Sequence, residues 1–271
     1  MERLQAAINK ARAQRKTGVA ATEHVQSKTT DKKLVENWER LAPVVMDPKQ
    51  SAMNRLSSIG GGRDAAPYDM LRTRILQQAS ANKWRRVAVV SPHSGCGKST
   101  TCANLAFSFS RQRDLRTMVL DLDLRRVGLS RILGQPRNAN MADVLQANTD
   151  FLDHGMVLNE NVALGLNQTS VHDASEILQN MRTKSVLENI ENQLRPDIVL
   201  FDMPPLMSTD DNYGFLPNVD CAILIAEAEK TTIAQIDVAE RQLAELTNVM
   251  GVVLNKSRYH TGAYGYDYDY K

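Results

Sequence analysis

One segment constrains this chain more than any other. Ser91-Pro92-His93-Ser94-Gly95-Cys96-Gly97-Lys98-Ser99-Thr100 follows the apolar run Val87 to Val90 and opens a helical pattern running from Ser99 to Gln112. A glycine-containing turn between a buried strand and a helix is the setting of a phosphate-binding loop, because small residues let successive backbone N–H groups approach phosphate oxygens at a helix N-terminus. In that setting Lys98 reaches the β- and γ-phosphates and the Ser99 hydroxyl coordinates Mg²⁺. ATP and Mg²⁺ are therefore the expected ligands, held by Ser94, Gly95, Cys96, Gly97, Lys98, Ser99 and Thr100. Pro92 stands where the general pattern has its first glycine, but the part that wraps the phosphates is kept. The plainer alternative, a glycine-rich turn with an incidental lysine, is disfavoured by the strand and helix on either side.

Short apolar runs recur at 117–122, 197–201, 221–226 and 251–254, and apolar residues at three- and four-residue spacing fill 68–81, 181–194 and 233–246. Continuous apolar strands are those buried on both faces. Their alternation with helices predicts an α/β chain of the P-loop NTPase fold, a mostly parallel sheet flanked by helices on both faces. Ligands of such a sheet lie at the strand C-terminal ends. Two runs end there in acids: Val119-Leu120-Asp121-Leu122-Asp123-Leu124-Arg125-Arg126, and Ile198 to Pro205, which contains Asp202. Asp202 fits the acid that holds Mg²⁺ through water. Asp121 and Asp123, two apart on an extended strand, point the same way, and one of them can serve as a base or a metal partner. For each acid the alternative role is a turn or helix-cap carboxylate. Arg125 and Arg126 either touch phosphate or pair with surface acids.

Composition narrows the rest. The 271 residues allow one large domain with appendages or two small ones, and 42% hydrophobic with 24% charged residues excludes disordered, collagenous and disulfide-dense classes. No apolar run approaches the roughly 18 residues of a membrane span. Residues 1–16 lack an apolar block followed by a small-residue cleavage site, so neither a membrane crossing nor a secretory signal is expected. Cys96, Cys102 and Cys221, an odd number without metal-ligand spacing, fit a reducing cytosol. The net charge of +2 conceals an asymmetry, 11 Lys and Arg against 6 Asp and Glu in residues 1–60 and 22 against 25 in the remainder. The basic arm is either a solvated segment or one that lies near anionic lipid or an acidic partner, and the acidic body is not that of a nucleic-acid binder. Leu4, Ile8 and Ala11 suggest a short amphipathic helix over 2–16, residues 17–53 read as polar and aperiodic, and Ser57 to Gly62 as a flexible break. The expected division is an arm and linker over 1–62, the phosphate-loop domain over 63–257 and a tail over 258–271.

Five of the seven tyrosines, Tyr259, Tyr264, Tyr266, Tyr268 and Tyr270, fall in the last 13 residues. A segment of glycine, acids and phenols with almost no aliphatic residues buries little and is expected to be disordered. With this cluster the chain resembles the bacterial tyrosine kinases (BY-kinases) of capsule and exopolysaccharide systems, in their stand-alone cytoplasmic CpsD/CapB-like form. The resemblance covers residues 66–271. It rests on SPHSGCGKST as Walker A, VLDLDLRR as Walker A′, IVLFDMPP as Walker B, ASEIL ahead of the Walker B strand, GVVLN near the end, and the tyrosines. It implies ATP-dependent autophosphorylation of Tyr259, Tyr264, Tyr266, Tyr268 and Tyr270 in trans, and control of polysaccharide polymerisation and export. It further implies Lys98 and Ser99 on phosphate and Mg²⁺, Asp121 as base for the phenol, Asp123 and Asp202 organising the metal, and Asn255 at the adenine. A base is also a chemical requirement, since a phenol of pKa near 10 attacks better when a carboxylate accepts its proton. The partners implied are a transmembrane polysaccharide co-polymerase acting as activator, a cognate protein-tyrosine phosphatase and further copies of the chain. Membrane association would come only through a partner or the basic arm, at the inner face of the plasma membrane.

The chain departs from the family at its oligomerisation helix, where a Glu-x-x-Arg-x-x-Arg pattern is replaced by Ala66 to Arg72 and only Arg72 is kept. The oligomeric state is left open. Two other functions compete. A deviant P-loop ATPase of the partition or division-positioning type normally carries a signature lysine at the second loop position, where this chain has His93, and gives the tail no role. A catalytically idle nucleotide-sensing scaffold would use the tail only for recruitment.

Overall fold

The run at 87–90 is buried on both sides, with Val87 and Val89 in one hydrophobic core and Ala88 and Val90 in the other. Such a strand needs neighbours on both edges and helices on both faces. The computed structural model, which describes residues 32–135 and 140–257, supplies them. In chain order the elements are α1 (32–40), β1 (Ala42–Pro43), α2 (Pro48–Met53), α3 (Ala66–Asn82), β2 (Arg86–Val90), α4 (Lys98–Ser110) and β3 (Thr117–Asp121). Next come α5 (Leu129–Leu133), α6 (Met141–Leu145), α7 (Phe151–His154), β4 (Met156–Leu158), β5 (Val162–Gly165), α8 (Ala174–Gln179) and α9 (Met181–Leu194). β6 (Ile198–Asp202), α10 (Asp211–Phe215), β7 (Cys221–Glu227), α11 (Ile233–Leu246) and β8 (Asn248–Asn255) complete the domain.

The eight strands form one sheet in the order β1-β4-β5-β3-β6-β2-β7-β8. Every neighbouring pair is parallel except the hairpin β4–β5. This is the mostly parallel, doubly covered sheet that the strand–helix alternation predicts. Helices α3, α4 and α5 pack on one face, around Ile75, Leu105, Phe109 and Leu129. Helices α1, α6 to α9 and α11 cover the other, around Trp38, Leu145, Phe151, Leu187 and Leu243. Because β3, β6 and β2 are adjacent at the centre, their C-terminal ends meet: Asp121 pairs in register with Asp202, and Val89 with Asp202 on the other side. The sheet therefore delivers two acids and the start of the phosphate loop to one spot.

The N-terminal third departs from expectation. An arm and linker over 1–62 does not describe residues 32–62, which belong to the folded body. Leu34, Trp38 and Leu41, at four- and three-residue spacing, bury one face of α1 and its end, and Trp38 Nε1 donates to the Leu194 carbonyl at 2.8 Å. Arg116 stacks over the same indole ring at 5.8 Å. Leu56 enters the opposite core, and the Ser58 N–H donates to Asn104 Oδ1 at 3.0 Å. The amphipathic pattern at 2–16 and the tyrosines Tyr259, Tyr264, Tyr266, Tyr268 and Tyr270 lie outside the described residues. Among the described residues no helix is long and apolar enough to cross a membrane, and the three cysteines are buried and free.

Arg72, the remnant of the oligomerisation pattern, is turned inward. Its guanidinium donates to the Ser108 carbonyl at 2.7 Å and to Asp69 at 3.3 Å, and Asp69 also accepts from Arg111. This network ties α3 to α4 within one chain.

Candidate functional site

The loop between β2 and α4 takes its shape from Gly95 and Gly97, both left-handed, with φ of 86° and 96°. Gly97 is constrained twice, since a Cβ there would collide with the Asn255 amide as well as strain the backbone. It leaves the first amides of α4 open to a ligand, where the helix dipole favours anions. Lys98 is buried, and its Nζ donates to Ser91 Oγ at 3.1 Å across the loop. Ser99 faces the start of α5, where Gly128 passes so closely that a Cβ would stand 3.0 Å from Ser99 Oγ. A second set of contacts holds the loop from β7 and β8. Asn255 Nδ2 donates to the Cys96 carbonyl at 2.8 Å, Lys256 Nζ donates to the Gly95 carbonyl at 2.7 Å and pairs with Glu227 at 3.0 Å. Hydrogen bonds from Lys230 first and Lys256 second hold the Glu227 carboxyl below the usual carboxylate range. Asn255 Oδ1 in turn accepts from the Lys256 N–H.

Asp121 and Asp202 lie beneath the loop at the ends of β3 and β6, fully buried, and Asp123 beside them is 7% exposed. Burial first, then the neighbouring carboxylates Asp202 and Asp123, pushes Asp121 well above the ordinary range. Burial pushes Asp202 up to about 6 against the opposing pull of Lys98 and the nearby Ser99 hydroxyl. Asp123 is raised by burial and restrained by Lys98 and Arg126. Both Asp202 oxygens and Asp121 Oδ2 are buried without a hydrogen-bond partner. Orphaned acceptors of this kind are costly, and a hard cation with oxygen ligands satisfies them. Among the described residues no three His, Cys, Asp or Glu side chains form a metal cage on their own. That is the pattern of Mg²⁺, which takes one or two carboxylates and completes its shell with phosphates and water. The donor set Ser99, Asp123 and Asp202 fits it.

Above the acids opens a cleft of about 470 Å³ lined by Gly95, Gly97, Lys98, Ser99, Thr100 and Asp123, the residues the sequence singled out. Ser94 is exposed at the loop's outer edge, and Cys96 is buried behind it with Sγ 3.3 Å from His93 Nδ1. The same cleft is also lined by Met53, Asn54, Arg55, Arg126, Arg131 and Lys256. Sequence reasoning missed Asn54, Arg55, Arg131, Glu227 and Lys256. Only Lys256 had a signal, its place directly after the last strand. Arg125 does not reach the cleft wall. It grips Asp211 with two 2.9 Å bonds, and Asp211 also accepts from Ser175 and Thr209, which joins the segment after β3 to α8 and α10. Burial pushes the Asp211 carboxyl up, but these donors outweigh it and hold the group below the ordinary range.

The lineage of this loop and sheet is direct. Residues 87–264 match the CobQ/CobB/MinD/ParA nucleotide binding domain. The chain belongs to that family. The tyrosine-protein kinase CpsD of Streptococcus pneumoniae serotype 4 is 27% identical over 202 residues, covering 73% of this chain and 86% of CpsD. EpsB of Ralstonia solanacearum, also named as a tyrosine-protein kinase, is 29% identical over 204 residues, covering 72% of this chain. The chain spans 26% of EpsB's length. The kinase domain of the Escherichia coli tyrosine kinase ETK superposes with a TM-score of 0.64 at 20% identity over 75% of this chain and 80% of that one, which shows a shared fold. Family membership makes this a nucleotide-binding domain and leaves its reaction to the residues of the site.

Proposed function

We propose that this chain is an ATP- and Mg²⁺-dependent protein-tyrosine kinase that phosphorylates its own C-terminal tyrosines in trans, and so regulates polymerisation and export of a capsule or exopolysaccharide. The observation that carries the reading is the triad of buried carboxylates, Asp121, Asp123 and Asp202, beside Lys98 in a chain that ends in five clustered phenols. A nucleotide switch needs acids for the metal and for water. A triad in a chain that carries its own acceptors fits transfer to an alcohol.

The loop amides and Lys98 hold the β- and γ-phosphates, and the adenine is placed on the β8 side of the loop next to Asn255. Ser99, Asp123 and Asp202 hold Mg²⁺, which when bound neutralises charge on the phosphates. The incoming phenol oxygen forms its bond to the γ-phosphorus as the bond to the β–γ bridging oxygen breaks and ADP leaves. The phenol proton passes to Asp121, whose carboxyl is raised above the ordinary range by burial and by the neighbouring carboxylates. The acceptors Tyr259, Tyr264, Tyr266, Tyr268 and Tyr270 are taken to come from a second copy in a homo-oligomer, as the resemblance to the bacterial tyrosine kinases implies. A transmembrane activator would bring the chain to the inner face of the plasma membrane, and a cognate phosphatase would reset the tail.

The test is mass spectrometry of phosphatase-treated protein incubated with ATP and Mg²⁺, with and without a transmembrane activator. Phosphate increments confined to Tyr259–Tyr270, absent in Lys98→Met and Asp121→Asn proteins of unchanged circular dichroism, support the kinase. Phosphotyrosine persisting in purified Lys98→Met protein rules it out. ATP hydrolysis with an unmodified tail assigns the chain to the ATPase switches of its family.

A further inference from the structure

The nucleotide cleft is also lined by three arginines that form no salt bridge, although Arg126 lies near enough to Asp123 to restrain its upward shift. Arg55, Arg126 and Arg131 are exposed to the cleft, and among the described residues none of them is in an ion pair. Elsewhere among the described residues Arg40, Arg72, Arg86, Arg111 and Arg125 are in ion pairs while Arg63, Arg74, Arg85, Arg113, Arg116, Arg182, Arg195 and Arg241 are in none, so what sets Arg55, Arg126 and Arg131 apart is that they share one cleft. With Asp123 the one carboxylate among the described residues of the lining and Lys256 paired to Glu227, Arg55, Arg126, Arg131 and Lys98 leave the cleft with an excess of positive charge that favours an anion. The nucleotide phosphates are already served by the loop amides and Lys98.

The turn that presents Arg55 is built rather than loose. Arg55 sits at φ 58°, a left-handed conformation unusual for a side chain of its size. Its carbonyl accepts from Asn104 Nδ2 at 3.1 Å, the Leu56 N–H bonds to the Ser51 carbonyl at 3.1 Å, and Asn54 Nδ2 bonds to the Ile132 carbonyl at 2.8 Å. Asn54 thereby fixes the turn to α5, which carries Arg131. Arg126 lies five residues earlier on the loop that leads from Asp123.

Resting on the kinase reading, we infer that Arg55, Arg126 and Arg131 form an acceptor-recognition site for an acidic tyrosine peptide, occupied by the C-terminal segment of a second copy of this chain. That segment reads Tyr264-Gly265-Tyr266-Asp267-Tyr268-Asp269-Tyr270. In an extended peptide successive side chains point to opposite faces. Asp267 and Asp269 then share the face turned to the arginines, where guanidinium and carboxylate pair bidentately. Tyr268, between them, points the other way, toward the loop and Asp121. An acidic peptide approaching Asp121, Asp123 and Asp202 would otherwise be repelled, and the arginines offset that repulsion. Tyr268, flanked by acids on both sides, becomes the first residue modified.

The test compares a fluorescein-labelled peptide of residues 262–271 with the same peptide carrying Asp267→Asn and Asp269→Asn. Both are added to the full, phosphatase-treated chain with Mg²⁺ and a non-hydrolysable ATP analogue. In dilute salt of about 50 mM, where screening is weak, anisotropy should show the aspartate peptide binding roughly tenfold more tightly. The preference should vanish in an Arg55→Gln, Arg126→Gln, Arg131→Gln protein of unchanged thermal midpoint, and shrink in Arg126→Gln alone. With ATP, the first phosphate should fall on Tyr268. Equal binding of the two peptides by the wild-type chain overturns the inference without any variant. So does a preference that survives the triple substitution, or an equal loss for both peptides accompanied by weaker nucleotide binding, which would assign the arginines to ATP. Aspartate-dependent binding with no transfer to either peptide would support the site and reject the kinase reading, so the two fail separately.

Discussion

Asp202 is a carboxylate held in the core with neither oxygen satisfied, and that state sets its own pH dependence. Its folded pKa of about 6 lies above the ordinary value, so the folded chain binds the proton more tightly than the unfolded one. Its burial therefore costs stability progressively as pH rises from the ordinary carboxylate range to about 6, and the full cost persists at neutral pH. Asp202→Asn should stabilise the nucleotide-free protein at pH 7 by about 2 kcal/mol in urea unfolding while abolishing phosphoryl transfer. A loss of stability instead would mean that an unseen donor already satisfies the acid. Asp211 has the opposite sign. Arg125, Ser175 and Thr209 hold it below the ordinary range, so its contribution is present above that range and is lost as pH falls through the folded value. Asp211→Asn should lower stability at pH 7 by about 2 kcal/mol and flatten the acid limb of the stability profile below about pH 4. A parallel profile would remove Asp211 from that role. At Gly97 the expected result is categorical: Gly97→Ala should abolish nucleotide binding measured by calorimetry, because neither φ nor the Asn255 side chain tolerates a Cβ.

Elements with one strong period were legible before the fold. Helices α3, α9 and α11 run over the three segments 68–81, 181–194 and 233–246 whose apolar spacing is helical, and β2, β3, β6, β7 and β8 overlap the continuous apolar runs. The loop and its acids were legible for the same reason, being contiguous stretches at strand ends. The rest of the cleft lining was not, since it is assembled from α2, the segment after β3 and α5, which no local pattern brings together. The hairpin β4–β5 escaped because its strands are three and four residues long and its turn uses Asn159 and Glu160 at positive φ in place of a glycine. Helix α1 had a signal, Leu34, Trp38 and Leu41, obscured by the charged residues between them. Its weight can be measured. Trp38→Ala should cost about 3 to 5 kcal/mol in urea unfolding, as for other buried indoles, and loosen α9 through the lost bond to Leu194. A cost near zero would return residues 32–41 to the status of an appended arm.

At the scale of the molecule, charge governs assembly. The chain carries a net +2, and five phosphotyrosines would add about −7.5 to −10 at neutral pH, reversing its sign. Modified tails should repel both one another and the acidic sheet end, so sedimentation should show smaller species after phosphorylation than after phosphatase treatment. An unchanged mass distribution would remove charge from the control of assembly. The Lys256 bond to the Gly95 carbonyl has one more consequence. It pins the root of the tail to the doorway of the nucleotide cleft, so each phenol is on a leash of fixed length. The farthest, Tyr270, reaches no more than about 50 Å from Lys256. Between copies already assembled, the supply of acceptors is then set by leash length and not by cellular abundance. Modification should run at a rate independent of dilution until the assembly itself comes apart.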